Sequence, residues 1–327
     1  MKIYFGLDGG ASSTRAVLVD SNGSTLNKKK LDKGTNLKVY QDLAIKRISE
    51  LILDLCKEIS LSVDDIEGFG FGLAAISYDE GRESLFKELD RLNIADRSIL
   101  INDAEAAYKI CCPDDVGILL TVGTGVICIA KNSNGEFVRM AGKGHDKTDI
   151  GSGYWIGKEV LLKLSFNEAI TDYDQDLMQL REIVCNKFSK NNLKDVLEYI
   201  ANHEDSLALK ASIAKDLLSI ASKNEVALSI LQESTYNVSD YIINVNELLD
   251  YNSSSNELVL FTNGSVINSP VYRKSLSDAL SFNYSRVNWV SSKISAAYGA
   301  AMISALSKNN ENIEIKSIIK GDFLASS

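Results

Sequence analysis

Three turns rich in glycine and hydroxyl residues recur along this chain of 327 residues, each after a short apolar run. The first is Asp8, Gly9, Gly10, Ala11, Ser12, Ser13 and Thr14. Glycine lets backbone approach a phosphate, and the hydroxyls of Ser12, Ser13 and Thr14 can donate to its oxygens. Asp8, at the end of the run, can hold Mg2+ directly or through water. The second turn is Gly123, Thr124 and Gly125, and the third is Thr262, Asn263, Gly264 and Ser265. Taken singly, each reads equally well as a plain tight turn. Asp103 differs in kind. It ends an apolar strand pattern and precedes the small residues Ala104, Ala106 and Ala107. A carboxylate there faces the side of an open α/β sheet where ligands bind, and it can accept the proton of an attacking hydroxyl. The competing reading makes Asp103 the N-cap of the helix that begins near Ala104.

Glycines are densest between Gly142 and Gly157, around Lys143, Gly144, His145, Asp146, Asp149, Ile150, Gly151, Ser152 and Gly153. A constrained loop approaching a ligand is one reading, with Asp149 accepting from sugar hydroxyls. Ser152 can instead cap the following helix. Asn36, in the turn Gly34, Thr35, Asn36, is either a helix N-cap or an amide contact to substrate. The run Lys28, Lys29, Lys30 reads as a solvated hairpin edge, and Cys111 and Cys112 as small apolar fillers.

The elements that must position these residues follow from periodicity. Ile3 to Leu7 and Ala16 to Asp20 form a hairpin across the first turn. Leu43, Ile48, Leu51, Ile52, Leu55 and Ile59 recur at helical spacing. Gly68 to Gly72 and Ser98 to Ile101 are strand candidates. Ile118 to Val122 and Val126 to Ala130 flank the second turn and repeat the layout of the first hairpin, so two similar domains are expected. The stretch from 157 to 250 is mostly helical, and Leu258 to Phe261 and Val287 to Val290 are late strands. Ile294 to Leu306 is a helix whose small residues allow close backbone packing. Strands alternating with helices give an α/β layer architecture. The predicted domains are 1–115, joined by the tail 308–327, and 116–307, carrying the helical segment 157–250. Pro113 to Asp115 marks the boundary.

Apolar residues make up 45% of the chain and charged residues 24%, which is ordinary for a globular protein. A net charge of −9 argues against binding to a phosphate backbone, so nucleic acid is excluded as a partner. Five cysteines at irregular spacing give neither a disulfide framework nor a zinc site and point to a reducing cytosol. The sequence shows no signal peptide and no membrane-spanning window, so a cytoplasmic location is expected.

Taken in order, the segments Asp8 to Arg15, Asn102 to Ala104, Gly123 to Gly125, Asp149 to Gly157 and Asn263 to Ser269 resemble the actin-like ATPase and sugar-kinase superfamily. More narrowly, they resemble the BadF/BadG/BcrA/BcrD ATPase family and its branch of N-acetylglucosamine kinases. The resemblance implies two ribonuclease H-like domains with an inter-domain cleft for ATP, and helical additions in the second. It implies that Gly9, Gly10, Ser12 and Thr14, with Gly123, Thr124 and Gly125, clamp the phosphates, and that Asp8 positions Mg2+. Gly264 and Ser265 would lie by the adenosine, Asp103 would be the general base, and Asn36, Asn102, Gly144 and Asp149 would hold the sugar. A homodimer is expected.

The chain departs from that pattern at four places. Ala11 stands where the family commonly has glycine. Gly142, Lys143, Gly144 replaces Gly-Trp-Gly. Ile150 replaces a glutamate beside Asp149, and Gly72 to Ala75 lacks a possible hydroxyl. Lys143 can pair with an acidic substituent, so N-acetylmuramic acid joins N-acetylglucosamine as an expected substrate, with unmodified glucosamine another. The alternatives are an ATPase that activates a radical dehydratase, whose cysteines hold an iron–sulfur cluster, and a non-catalytic sugar sensor.

Overall fold

A computed structural model describes residues 1–112, 114–144, 147–168, 172–249, 256–292 and 295–308. In chain order the elements are β1 (Ile3–Gly9), β2 (Thr14–Asp20), β3 (Thr25–Leu31), α1 (Leu37–Tyr40), α2 (Asp42–Glu58), β4 (Ile66–Leu73), α3 (Asp79–Arg91), β5 (Ser98–Asn102) and α4 (Asp103–Cys111). Then come β6 (Gly117–Val122), β7 (Val126–Lys131), β8 (Phe137–Ala141), α5 (Gly153–Phe166), α6 (Gln175–Lys187), α7 (Leu193–Ala201), α8 (Ser206–Ile220) and α9 (Glu225–Leu249). The last are β9 (Glu257–Asn263), α10 (Pro270–Leu280), β10 (Arg286–Ser291) and α11 (Ala296–Lys308). The chain divides into two compact units, residues 1–115 with the chain from Ser292 onward, and residues 116–291.

The first unit is built on a five-stranded sheet in the order β3-β2-β1-β4-β5. Its first three strands form an antiparallel meander, and β1, β4 and β5 run parallel. β1 is buried almost along its whole length, as a central strand covered on both faces must be. One face packs Phe5, Phe69 and Phe71 against Ile48, Leu51, Ile52 and Leu55 of α2. Lys29, on the edge strand β3, pairs with Asp54 and Glu58 of α2, both at 2.9 Å, so the lysine run sits at an edge as expected.

The other face receives α11, which the sequence had assigned to the second domain. The reason is local. A Cβ on Gly6 would lie 2.0 Å from the Ala297 carbonyl oxygen, and one on Gly70 would lie 1.9 Å from that of Ala300. Glycine on the strands and alanine on the helix let two backbones meet where no larger pair fits. The predicted tail, beyond residue 308, lies outside the described residues, as do Pro113 and the helix start at Ile294.

The second unit repeats the scheme in the order β10-β9-β6-β7-β8, again an antiparallel three-strand meander followed by parallel strands. β6 and β7 are the expected second hairpin. Five helices, α5 to α9, fill the predicted helical stretch. Val160, Val238, Ile242 and Tyr272 pack with Leu120, Cys128 and Leu260 into the unit's core.

Candidate active site

In the first unit, three loops meet at the C-terminal ends of parallel strands. The Gly9 carbonyl accepts from the Ala74 amide at 2.8 Å, and the Gly10 carbonyl accepts from the Thr35 amide at 2.9 Å. The Ala11 carbonyl accepts from the Tyr40 hydroxyl at 2.7 Å. The turn itself closes by Gly10 N–H donating to the Ser13 carbonyl at 3.2 Å, with Ser12 partly exposed within it. The turn after β1 is therefore fixed by its neighbours as well as by its own closing bond.

Asp8 faces partly outward, with 18% of its side chain exposed, and pairs with Arg15 of the adjoining strand at 3.4 Å. Burial raises its carboxyl above the usual carboxylate range, and Arg15 opposes that rise. Asp8 is paired in register with Gly72, and Leu73 with Asn102. The ends of β1 and β5 thus flank β4, roughly 10 Å apart across two strand spacings. Asp103, the first residue of α4, is half-buried there.

Several expected roles are redistributed. Asn102, not Asp103, is the N-cap of α4, and its Oδ1 accepts from the Ala104 amide at 3.0 Å. Asn36 is the N-cap of α1, its Oδ1 accepting from the Lys38 and Val39 amides at 3.0 and 3.1 Å. Thr14, expected on a phosphate, is fully buried. Its hydroxyl donates to the Lys33 carbonyl at 2.8 Å and lies 3.0 Å from the Thr35 hydroxyl. It pins the Lys33–Thr35 loop instead, because the alternation of β2 turns it inward.

In the second unit, the Gly123–Gly125 turn is capped by the N-terminus of α5. The Gly153 amide donates to the Gly123 carbonyl at 2.8 Å, and the Tyr154 amide to the Thr124 carbonyl at 3.0 Å. The turn after β9 joins them, with the Val266 and Ile267 amides both donating to the Val122 carbonyl, at 3.0 and 3.2 Å. Gly264 makes this possible. Its φ is +108°, and a Cβ would sit 2.4 Å from the Val122 carbonyl oxygen. Ser265 next to it is exposed. The structure therefore brings Gly123, Thr124, Gly125, Gly264 and Ser265 together.

The loop ahead of α5 is also tied. Asp149 is buried, and its Oδ1 accepts from the Gly142 amide at 3.1 Å and lies 3.4 Å from the Thr148 hydroxyl. The Gly144 carbonyl accepts from the Lys147 and Thr148 amides, closing a turn. Ser152 is the N-cap of α5, bonded to the Trp155 amide at 3.2 Å. His145 and Asp146 lie outside the described residues. The sequence did not reveal what bolts this loop down. Ser234 and Tyr272 both donate to the Gly151 carbonyl, at 2.8 and 3.0 Å, and Tyr241 donates to that of Thr148 at 2.9 Å. Hydroxyls on apolar helix faces are the only sequence signal for such bolts.

Among the described residues no three His, Cys, Asp or Glu side chains gather as a metal cage. A single carboxylate such as Asp8 still suits Mg2+, which keeps several waters and takes its other ligands from substrate phosphates.

The sequence profile of the BadF/BadG/BcrA/BcrD ATPase family matches residues 5–304. The chain is 28% identical to the N-acetylmuramic acid/N-acetylglucosamine kinase of Clostridium acetobutylicum over 93% of its own length and 98% of the relative's. It is 23% identical to the N-acetyl-D-glucosamine kinase of Dictyostelium discoideum, covering 94% of this chain and 99% of that one. A solved structure from Chromobacterium violaceum, assigned as an N-acetylglucosamine kinase, superposes with a TM-score of 0.69 at 18% identity, covering 93% of this chain and 99% of that one. The fold is thus the two-domain α/β fold of the actin-like sugar kinases. Matched over nearly its whole length, the chain belongs to the BadF/BadG/BcrA/BcrD ATPase family.

Proposed function

We propose that this protein is an ATP-dependent kinase acting on the 6-hydroxyl of an amino sugar, N-acetylglucosamine or N-acetylmuramic acid. The observation that carries the reading is the pair of strand ends in the first unit, where Asp8 and Asp103 flank β4 beside a turn of tied glycines. The names of the two curated relatives support the substrate class.

In this reading Asp103 accepts the proton of the 6-hydroxyl as its oxygen bonds to the γ-phosphorus and the bond to the ADP oxygen breaks. Gly9 and Gly10 let phosphate approach the first turn closely, where Ser12 offers a hydroxyl donor, and Gly123 and Gly125 do the same beside the Thr124 hydroxyl. Gly264 and Ser265 receive the adenosine. Asp8 would hold Mg2+, which neutralises developing phosphate charge when bound. Asn36, Asn102, Gly144 and Asp149 contact or shape the sugar site, Asn36 and Asn102 through whatever their amide nitrogens offer beyond the caps they make.

Lys143 bears on the choice between sugars. It is exposed, and only its backbone amide is engaged, by the Thr148 hydroxyl at 2.8 Å. Its ammonium has no ion-pair partner among the described residues, so it can meet the carboxylate of a lactyl ether. Replacing Lys143 with Ala should raise KM for N-acetylmuramic acid and leave that for N-acetylglucosamine near its parent value.

The dehydratase-activator alternative needs thiolates within reach of a shared cluster. All five cysteines are buried. Burial pushes Cys56 up to about 11 and Cys111 and Cys128 up to about 12, and raises Cys112 further. That counts against the alternative. A cytoplasmic homodimer is part of the proposal, supported on its first point by the free thiols; light scattering on the purified chain tests the second. The function itself is tested by ADP release with N-acetylglucosamine, N-acetylmuramic acid, glucosamine and glucose in turn. Turnover with neither acetylated sugar would overturn it.

A further inference from the structure

The turn that follows β9 has no regular structure of its own between Asn263 and Ser269, yet one side chain ties it from outside. Arg273, in the first turn of α10, donates from Nε to the Ile267 carbonyl at 2.8 Å. Its Nη2 lies 3.2 Å from Asn268 Oδ1, 3.3 Å from the Thr262 hydroxyl and 2.8 Å from the Ser291 hydroxyl. The guanidinium also stacks over the Trp289 ring, 5.4 Å from its centre. The Thr262 and Ser291 hydroxyls are themselves 2.7 Å apart, joining the ends of β9 and β10. One cation therefore fastens the far end of the turn to two strand ends. The near end is fastened by the Val266 and Ile267 amides on the Val122 carbonyl. Gly264 and exposed Ser265 stand between these anchors and Thr262, which Arg273 also holds.

A turn that must receive a ligand with its backbone has to keep one shape before the ligand arrives, because ordering it on binding weakens affinity. A planar guanidinium with donors in a fixed fork does this better than an ammonium, which has no fork and stacks less well on an aromatic face. We propose that Arg273 is a positioning residue for nucleotide binding: it holds the Asn263–Ser269 turn in the conformation that accepts the adenosine, without touching the nucleotide itself. The inference rests on the reading of Gly264 and Ser265 given under Proposed function.

The test uses the full chain and two variants, Arg273→Met, which keeps the stem and removes every donor, and Arg273→Lys, which keeps the charge and loses the fork. ADP binding by calorimetry, sugar binding by the same method, amide exchange at residues 264–268 and the thermal midpoint are measured on each. Losing charge-assisted hydrogen bonds predicts ADP affinity lower by about tenfold or more in Arg273→Met. Arg273→Lys should recover only part of it. Exchange in the turn should quicken, while N-acetylglucosamine affinity stays within about twofold. ADP affinity unchanged in Arg273→Met would overturn the proposal, as would equal losses for ADP and sugar, which mark a general stability role. If the parent protein binds sugar but no ADP, the nucleotide reading of the turn fails too. Quickened exchange in Arg273→Met would then show that the latch exists without that purpose.

Discussion

Asn102 and Asp103 each place a side-chain oxygen 3.0 Å from the same group, the amide nitrogen of Ala104. Adjacent residues thus share one donor at the start of α4, and their substitutions should separate. Asn102→Ala removes the N-cap and should cost about 1 kcal/mol of stability. Asp103→Asn keeps the cap and the shape, so the thermal midpoint should barely move. It should lower kcat by about 100-fold to 10,000-fold, the range of a lost general base, while ATP binding persists. Calorimetry and ADP release on the two variants check both halves. An Asp103→Asn enzyme with near-parent kcat would remove the proposed mechanism.

Thr14 supplies a second separation. Its hydroxyl serves the Lys33–Thr35 loop and is fully buried, so Thr14→Val should destabilise the fold by about 1–3 kcal/mol through unsatisfied partners. KM for ATP should change little. A large rise in that KM with unchanged stability would return the hydroxyl to phosphate binding. Denaturant titration and initial rates decide between the two.

What the sequence made legible, and what it hid, divides by range. Both hairpins were readable because each is an apolar run, a glycine turn and another apolar run, all within about 20 residues. The strand-end position of Asp103 was readable for the same reason. β8 was not. Its residues, Phe137 to Ala141, are apolar except for Arg139, which splits them into two pairs too short to read as a strand, and only Ala141 is buried. The home of α11 was hidden too. Its alanines announced close packing, but the partners Gly6 and Gly70 lie more than 200 residues earlier in the chain. The direction of the Thr14 hydroxyl depended on a loop 21 residues away, and the latch by Arg273 on hydroxyls of two strands joined only in the sheet.

The packing of α11 can be probed at one atom. Gly70→Ala puts a Cβ 1.9 Å from the Ala300 carbonyl oxygen, where only backbone movement relieves it. Gly68→Ala, two residues earlier on the same face, meets nothing closer than the Ser304 hydroxyl at 3.2 Å, a side-chain atom able to rotate away. Overpacking against backbone should lower stability by about 3 kcal/mol or prevent folding, and the Gly68 variant should lose clearly less. Thermal denaturation of the pair measures the contrast. Equal losses would show that the helix does not sit against β4 as described.

Glu88 gives a pH dependence with a definite sign. Arg91 binds it through two donors, both at 2.7 Å, and the Ser49 hydroxyl of α2 donates to it at 2.6 Å, so the carboxylate links α2 to α3. Arg91 first, then Ser49, hold its carboxyl down to about 2 from 4.5, against an opposing effect of burial. A carboxyl depressed in the folded state stabilises the fold above its unfolded pKa, and that contribution disappears as pH falls through the folded value. The window is therefore roughly pH 4.5 down to 2. Glu88→Gln should be less stable than the parent at pH 7, and the difference should shrink steadily across that window. Urea midpoints for both proteins at pH 7, 4 and 3 provide the measurement. A difference that stays constant from pH 7 to pH 3 would mean that the link between the helices owes nothing to the charge on Glu88.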